Sequence, residues 1–141
     1  MTETKIKAML AHKYNPDKAD YPAYIQPKLD GVRCLFTKDG AFSRAGNQFM
    51  NVEHIEYDLK PVFNRYPNLV LDGELYNHGL KDDFNKIISL VKKKKPTDEQ
   101  RYEAELLVQY HMYDIASYPH ATYEWRMHFI NTLTDSAMVR T

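Results

Sequence analysis

Residues 28–33 read Lys-Leu-Asp-Gly-Val-Arg, and this stretch is the most informative part of the chain for its fold and function. Strand-forming residues lie on both sides of Asp30-Gly31, which is a turn-forming pair. Lys28 and Arg33 should therefore meet around a bend where the glycine lets backbone approach a ligand. An amine attacks only in its neutral form, and a free lysine has a pKa of ~10.4. A guanidinium and a divalent cation both favour the neutral amine, so the pattern is typical of a lysine that attacks phosphorus. The same pattern also fits a surface lysine beside a β-turn.

The composition is that of one folded domain. The chain has 141 residues, of which 43% are hydrophobic and 27% are charged, so it does not belong to the disordered class. It has no apolar run long enough for a membrane helix, and its first ten residues lack the apolar block of a signal peptide. A single cysteine, Cys34, excludes an internal disulfide and indicates a reducing compartment. We therefore expect a cytoplasmic protein with no membrane partner.

Hydrophobic spacing predicts mixed α and β structure. Lys38-Asp39-Gly40 predicts a type I′ hairpin turn, because Asp-Gly tolerates positive φ. Pro61 lies inside the first predicted helix, where proline kinks or splits helices, and Pro67 lies just past its end. Strands and helices alternate without a regular βαβ rhythm, so we expect an α+β domain built on an antiparallel sheet. The predicted strands are 23–28, 31–37, 41–44, 69–76 and 105–115, and the predicted helices are 52–65, 82–94 and 122–134.

Three further motifs follow the first in order. Ser-Arg-Ala-Gly at 43–46 places Arg44 after a strand, where its fork suits a phosphate. Leu-Asp-Gly-Glu-Leu-Tyr at 71–76 puts the Asp72 and Glu74 carboxylates on one face of a strand. Tyr-His-Met-Tyr-Asp at 110–114 offers Tyr113, whose flat ring suits a purine base. Each motif alone is also compatible with a solvated loop, a sheet edge or core packing.

Together, in this order, the four motifs resemble those of ATP-dependent DNA ligases, and more distantly those of RNA ligases and mRNA capping enzymes. The resemblance covers residues 24–126 and implies an antiparallel-sheet nucleotidyltransferase (ATP-grasp-like) adenylation domain. It implies that Lys28 takes AMP from ATP, that AMP passes to a 5′-phosphate at a nick in duplex DNA, and that the 3′-hydroxyl displaces it. The cofactors so implied are ATP and Mg²⁺ or Mn²⁺, as phosphoryl chemistry requires.

The resemblance also assigns roles to individual residues. Lys28 is the nucleophile, and Arg44 binds the nick phosphate. Glu74 contacts the ribose and lies near the metal, while Tyr113 stacks on adenine. Gln26 and Arg33 complete the ATP- and AMP-binding set.

Two elements that the family places after its tyrosine motif do not occur in these residues. They are an acidic-Gly pair that helps to hold metal and a Lys-x-Lys pair that binds the α-phosphate. After Asp114 the sequence contains no lysine and no Asp-Gly or Glu-Gly pair. We therefore expect residues 1–141 to be the incomplete N-terminal part of an adenylation domain, without its OB-fold domain. We expect a monomer that needs the missing C-terminal part and is inactive or very weak alone.

Three alternatives stay open from the sequence. The first is an RNA ligase or capping-type nucleotidyltransferase. The second is a catalytically inactive module that binds ATP or DNA, which the absent lysines favour. The third is an unrelated α+β domain whose motifs are coincidental.

Overall fold

We describe the chain from a computed structural model, which describes residue 6 and residues 8–80, 82–133 and 139–140. Within these residues the chain forms six strands, four α-helices and two short 3-10 turns. The strands are β1 (Val32–Thr37), β2 (Gly40–Phe42), β3 (Gln48–Phe49), β4 (Leu71–Tyr76), β5 (Gln109–Ile115) and β6 (Val139–Arg140). The helices are α1 (Glu53–Arg65), α2 (Phe84–Val91), α3 (Asp98–Leu107) and α4 (Tyr123–Asn131).

All six strands form one sheet in the order β3-β2-β1-β4-β5-β6. The pairs from β3 through β5 are antiparallel, as the sequence predicts. The last pair differs, because β6 runs parallel to β5, so the sheet is mixed rather than purely antiparallel. A parallel pair needs a crossover connection, and α4 lies between β5 and β6 in the chain. The α+β class is confirmed, with this correction to the sheet.

The two faces of the central strands have different surroundings. Alternate residues of β1 and β4, such as Phe36 and Leu71, join a large apolar cluster with buried residues of the helices. The opposite face carries Arg33, Asp72, Glu74 and Tyr113, and we call it the site face. Besides these polar residues, the site face holds a small apolar cluster of Ala8, Leu35 and Val70.

Helix α1 matches its prediction closely. Its buried residues Ile55, Leu59, Val62 and Phe63 recur at helical spacing and face the core. The helix continues through Pro61, which is exposed to solvent. It ends at Arg65, two residues before Pro67.

Three local predictions are wrong. Residues 23–28 form no strand, and Tyr24 and Ile25 are exposed. The β1–β2 turn is not type I′, because Gly40 has positive φ but Lys38 and Asp39 do not. Residues 105–107, predicted as strand, belong instead to the end of α3.

Two of the predicted helices also differ in their bounds. Helix α2 is shorter than predicted and ends at Val91, so residues 92–94 lie beyond it. Helix α4 ends at Asn131, and residue 134 of its predicted range lies outside the described residues. No helix in the described parts of the chain combines the length and the apolar character needed to span a membrane.

Candidate active site

The sheet register brings three of the sequence motifs onto the site face. Arg33 on β1 lies directly opposite Glu74 on β4, and Asp72 precedes Glu74 by two residues on the same face. A register shift between Asp72 and Gly73 in the pairing with β5 leaves Tyr113 between the paired residues Met112 and Asp114. Residues far apart in the chain therefore meet where β1, β4 and β5 run side by side.

Arg33 is fixed by a bidentate ion pair with Asp72. Its Nε donates to Asp72 Oδ1 at 2.7 Å, and its Nη2 donates to Asp72 Oδ2 at 2.6 Å. Nη2 also donates to the backbone carbonyl of Met9 at 2.8 Å. The Asp72 side chain is 5% exposed, and hydrogen bonding to this carboxylate raises the pKa of Arg33. The guanidinium is therefore a permanent positive charge in a fixed orientation.

Glu74 accepts a hydrogen bond on each carboxylate oxygen. The backbone N–H of Gly31 donates to Oε2 at 3.0 Å, and the Tyr113 hydroxyl donates to Oε1 at 3.1 Å. Burial raises the pKa of Glu74, while the hydrogen bonds from Tyr113 and Gly31 act in the opposite direction. Burial also raises the pKa of Tyr113, with the Asp72 and Glu74 carboxylates acting in the same direction, so its hydroxyl stays protonated as a donor.

Two motif glycines are required by close approach. A Cβ on Gly31 would lie 2.4 Å from the carbonyl oxygen of Leu75, so only glycine lets this loop reach Glu74. A Cβ on Gly73 would lie 2.3 Å from the carbonyl oxygen of His111 and 2.9 Å from Tyr110 Cζ. The Tyr110 ring crosses beneath Gly73, and its hydroxyl donates to the carbonyl of Cys34 at 3.0 Å. The glycine between the two carboxylates thus makes room for a buried tyrosine.

Lys28 stands at an open cleft of about 560 Å³. The cleft is lined by residues 28–31, Arg33, Glu74 and residues 82–85. The Lys28 side chain is 90% exposed, and its Nζ lies 3.6 Å from Asp30 Oδ1. Because the cleft walls supply Lys28, Arg33 and Glu74 together, the structure places three predicted site residues around one space.

Gln26, which is expected to belong to the ATP- and AMP-binding set, contacts the backbone of Tyr113. Gln26 Nε2 donates to the carbonyl of Tyr113 at 3.1 Å and lies 3.5 Å from Met127 Sδ. Gln26 is not among the residues that line the cleft around Lys28. The loop before β1 is thereby tied to β5 and α4, and the hydroxyl of Tyr24 also donates to Glu124 on α4.

Arg44, the predicted nick-phosphate ligand, also lies apart from the cleft lining. It follows β2, and its Nε donates to the carbonyl of Ala8 at 3.0 Å. Ala8 is buried, whereas Arg44 is exposed. Arg44 and Arg33 therefore contact the same chain segment, although Arg33 lies on β1 and Arg44 lies in the loop after β2.

The cleft carries more negative than positive groups. Its lining includes four carboxylates, of Asp30, Glu74, Asp82 and Asp83, and two cations, of Lys28 and Arg33. No three His, Cys, Asp or Glu side chains among the described residues cluster closely enough to hold a metal by themselves. This arrangement fits Mg²⁺, which commonly takes one or two carboxylates and completes its shell with waters and substrate phosphates.

The sequence motifs assign no role to two parts of the site, Asp72 and residues 82–85. Asp72 is the partner of Arg33, and the spacing of Asp72 and Glu74 already predicts that they share a face. Residues 82–85 also line the cleft, and among them Phe84 is 41% exposed. Helical spacing predicts that Phe84 lies on the same face of α2 as Ile87 and Val91. Its position at the first residue of the helix instead leaves its ring at the cleft.

No protein-family model matches the sequence, and no curated protein matches it. Among solved structures, the chain resembles one named Pmar-Lig_Pre, with a TM-score of 0.53 and 27% sequence identity. The match covers 74% of this chain and 25% of that chain, so these residues span about a quarter of the length of that structure. A second, Pmar-Lig_PreS3, is 31% identical over 62% of this chain and 20% of its own, with a TM-score of 0.42.

The fold is ligase-like. That conclusion follows from the likeness to Pmar-Lig_Pre over 74% of this chain. The likeness does not assign a role to any residue of the cleft.

Proposed function

We propose that this chain is part of the adenylation domain of an ATP-dependent DNA ligase and that Lys28 is its AMP acceptor. One observation carries the proposal. The sheet register and the Gly31 turn bring Lys28, Arg33 and Glu74, from two separate sequence motifs, around a single open cleft. The ligase-like fold supports the same assignment.

The proposed first step is transfer of AMP from ATP to Lys28. The neutral amine attacks the α-phosphorus, a P–N bond forms, the bond to the β-phosphate oxygen breaks, and pyrophosphate leaves while the amine loses a proton. The Lys28 side chain is exposed and lines the cleft, so its amine can reach a nucleotide bound there. Arg33, held by Asp72, supplies a fixed positive charge for the phosphates.

The second step transfers AMP to the 5′-phosphate of a nick, and the 3′-hydroxyl then displaces AMP to seal the strand. Arg44 is the proposed ligand of the nick phosphate. Its guanidinium is exposed at the end of β2 and donates through Nε to protein. A planar fork of this kind suits bidentate recognition of a phosphate.

The proposed nucleotide contacts use the remaining residues of the site. Glu74 is positioned for the ribose, with its two oxygens ordered by Gly31 and Tyr113. Tyr113 and Phe84 are the aromatic candidates for the base, and Gln26 approaches from the side of α4. When bound, Mg²⁺ or Mn²⁺ would neutralise triphosphate charge, with Glu74 and the Asp82 and Asp83 carboxylates as its available protein donors.

Labelling with ATP tests the proposal. The polypeptide of residues 1–141 is incubated with Mg²⁺ and ATP labelled on its α-phosphate, and ATP affinity is measured by equilibrium binding. We expect weak ATP binding in the cleft, little acid-labile adduct and no nick sealing, because no lysine follows Asp114 to bind the α-phosphate. Any adduct should map to Lys28 and disappear in Lys28→Ala, whereas Lys60→Ala, which removes an exposed lysine from α1, should match wild type.

The outcomes separate the proposal from its alternatives. Robust labelling of Lys28 would show that the expected inactivity of these residues is wrong, while strengthening the ligase assignment. Absence of any ATP binding would contradict the proposal. To separate DNA from RNA ligation, a longer polypeptide that continues past Thr141 should be given nicked DNA and nicked RNA duplexes, and preferential sealing of RNA would favour an RNA ligase.

A further inference from the structure

Two consecutive backbone carbonyls of one segment bind both proposed phosphate arginines. The carbonyl of Ala8 accepts from Arg44 Nε at 3.0 Å, and the carbonyl of Met9 accepts from Arg33 Nη2 at 2.8 Å. We call residues 8–10 the N-terminal strap. Adjacent carbonyls of the strap therefore link Arg44 to Arg33, whose guanidinium is also held by the ion pair with Asp72.

The strap is anchored through one small side chain. Ala8 is 2% exposed and packs with Leu35 and Val70 on the site face. The side chains of Met9 and Leu10 are 71% and 56% exposed. The seat of Ala8 is therefore the contact that holds the strap, whereas the two following side chains point to solvent.

The contact to Arg44 orients its guanidinium without occupying it. Only Nε donates to the strap, and among the described residues the terminal Nη atoms make no hydrogen bond. A guanidinium offers five N–H donors in a planar fork, so fixing Nε directs the remaining donors. Fixing a long side chain before a ligand arrives removes part of the ordering cost of binding.

We propose that the N-terminal strap is a positioning element, which holds Arg33 and Arg44 at a fixed separation for the nucleotide phosphates and the nick 5′-phosphate. This inference rests on the proposed ligase function. The strap touches no phosphate itself and acts through the two arginines. Unseating it should weaken phosphate-dependent binding while leaving contacts to the rest of the duplex unchanged.

The test compares binding of two nicked DNA duplexes that differ only in carrying a 5′-phosphate or a 5′-hydroxyl at the nick. The variant Ala8→Asp places a carboxylate in the apolar seat, and the matched control Leu10→Asp places the same charge at an exposed position of the strap. We expect Ala8→Asp to lower the preference for the 5′-phosphate by about fivefold or more, as loss of an ordered charge-assisted contact predicts. Leu10→Asp should retain the wild-type preference.

A double-mutant cycle identifies the route of the effect. In an Arg44→Ala background, Ala8→Asp should cause no further loss of preference for the nick phosphate, because Arg44 is the arginine proposed to bind that phosphate. The milder Ala8→Leu, which only overfills the seat, is measured alongside with melting temperatures, so that a variant that fails to fold is recognised.

The results distinguish the two proposals. A wild-type chain that binds both nicks equally would overturn the nick-binding function and the strap proposal with it. A wild-type chain that prefers the phosphate, combined with folded Ala8 variants that retain the full preference, would overturn the strap proposal alone. Additive losses in the double-mutant cycle would also overturn it.

Discussion

Arg33 pairs diagonally with Asp72 and not with Glu74, although Glu74 is its direct partner in the strand register. Asp72 takes two donors of the guanidinium, so the Glu74 carboxylate is free to accept from Gly31 and Tyr113. The two carboxylates of one motif therefore have separate tasks. One fixes the arginine, and the other orders the loop that carries Lys28.

Replacing Asp72 by Asn should destabilise the protein, because it leaves the partly buried Arg33 charge without its anion. We expect a loss of about 3 kcal/mol in the free energy of unfolding, in the range for breaking a buried ion pair from one side. Urea denaturation measures this. The control is Glu103→Gln, which breaks a half-exposed pair with Lys86 and should cost less than about 1 kcal/mol. Equal losses in the two variants would show that Asp72 has no special role.

Replacing Tyr113 by Phe should raise the pKa of Glu74 further, since the hydroxyl bond stabilises the carboxylate. A carboxyl whose pKa is raised by folding favours the folded state when protonated, so its contribution to stability falls as pH rises through the folded pKa. At neutral pH the variant should therefore lose about 1 kcal/mol in the free energy of unfolding. Near the ordinary glutamate pKa of ~4.3 the loss should be smaller.

Denaturant unfolding at the two pH values checks that expectation, with a carboxyl NMR titration of Glu74 for the pKa itself. Tyr57→Phe is the matched control, because Tyr57 is 79% exposed and its loss of a hydroxyl should have no pH-dependent effect. A stability loss in Tyr113→Phe that does not change with pH would contradict the proposed coupling to Glu74.

Replacing Gly73 by Ala should destabilise the sheet. The new methyl group meets the His111 carbonyl and the Tyr110 ring, and backbone cannot yield as a flexible side chain would. Overpacking of this kind costs about 1–3 kcal/mol. Thermal unfolding measures the loss of stability. Gly79→Ala, where the nearest atom is the Asn77 side chain at 3.2 Å, should lose less stability in the same measurement. A Gly73→Ala variant as stable as wild type would mean that Tyr110 can move aside.

Replacing Phe84 by Ala should weaken ATP binding without a large loss of stability, because the ring is 41% exposed at the cleft. Base–aromatic stacking contributes about 1–3 kcal/mol, so we expect the dissociation constant for ATP to rise roughly tenfold. Equilibrium binding with ATP measures this, and Tyr102→Ala, which removes an exposed ring from α3, serves as the control. Unchanged affinity would remove Phe84 from the base site.

Elements with strong apolar periodicity are predictable from the sequence, and those with weak periodicity are not. Helix α1 has four buried residues at helical spacing, and its predicted and observed bounds differ by one residue. Helix α3 buries only Ala104 among its ten residues, so its apolar signal is weak. Its start is nevertheless marked in the sequence by a capping box between Thr97 and Gln100. Attention to capping would have identified it.

The exposed strand-formers at 23–28 show why composition misleads. Tyr24 and Ile25 favour strands intrinsically, yet neither belongs to a strand of the described sheet. The Tyr24 ring packs instead against Tyr123 of α4, with centroids 4.7 Å apart. This contact joins residues about a hundred positions apart in the chain, and local strand propensity contains no information about it.

The sequence predicts which residues belong to the candidate site better than it predicts which of them contact each other. The order of the motifs predicts Lys28, Arg33 and Glu74 as site residues, and all three line the cleft. The choice of Asp72 as the partner of Arg33, and the attachment of Arg44 to the strap, depend on register and on a segment distant in sequence. Both become visible only when the strands are paired.

Strand β4 lies in the middle of the sheet, with β1 synthesised before it and β5 more than thirty residues after it. A growing chain therefore carries β4 for a time with one edge unpaired, and such an edge is open to pairing with other chains. The Arg33–Asp72 and Glu74–Gly31 contacts need only β1 and β4, whereas Tyr113 arrives with β5. The contact between Tyr113 and Glu74 therefore cannot form before β5 has been synthesised, and the same strand covers the open edge of β4.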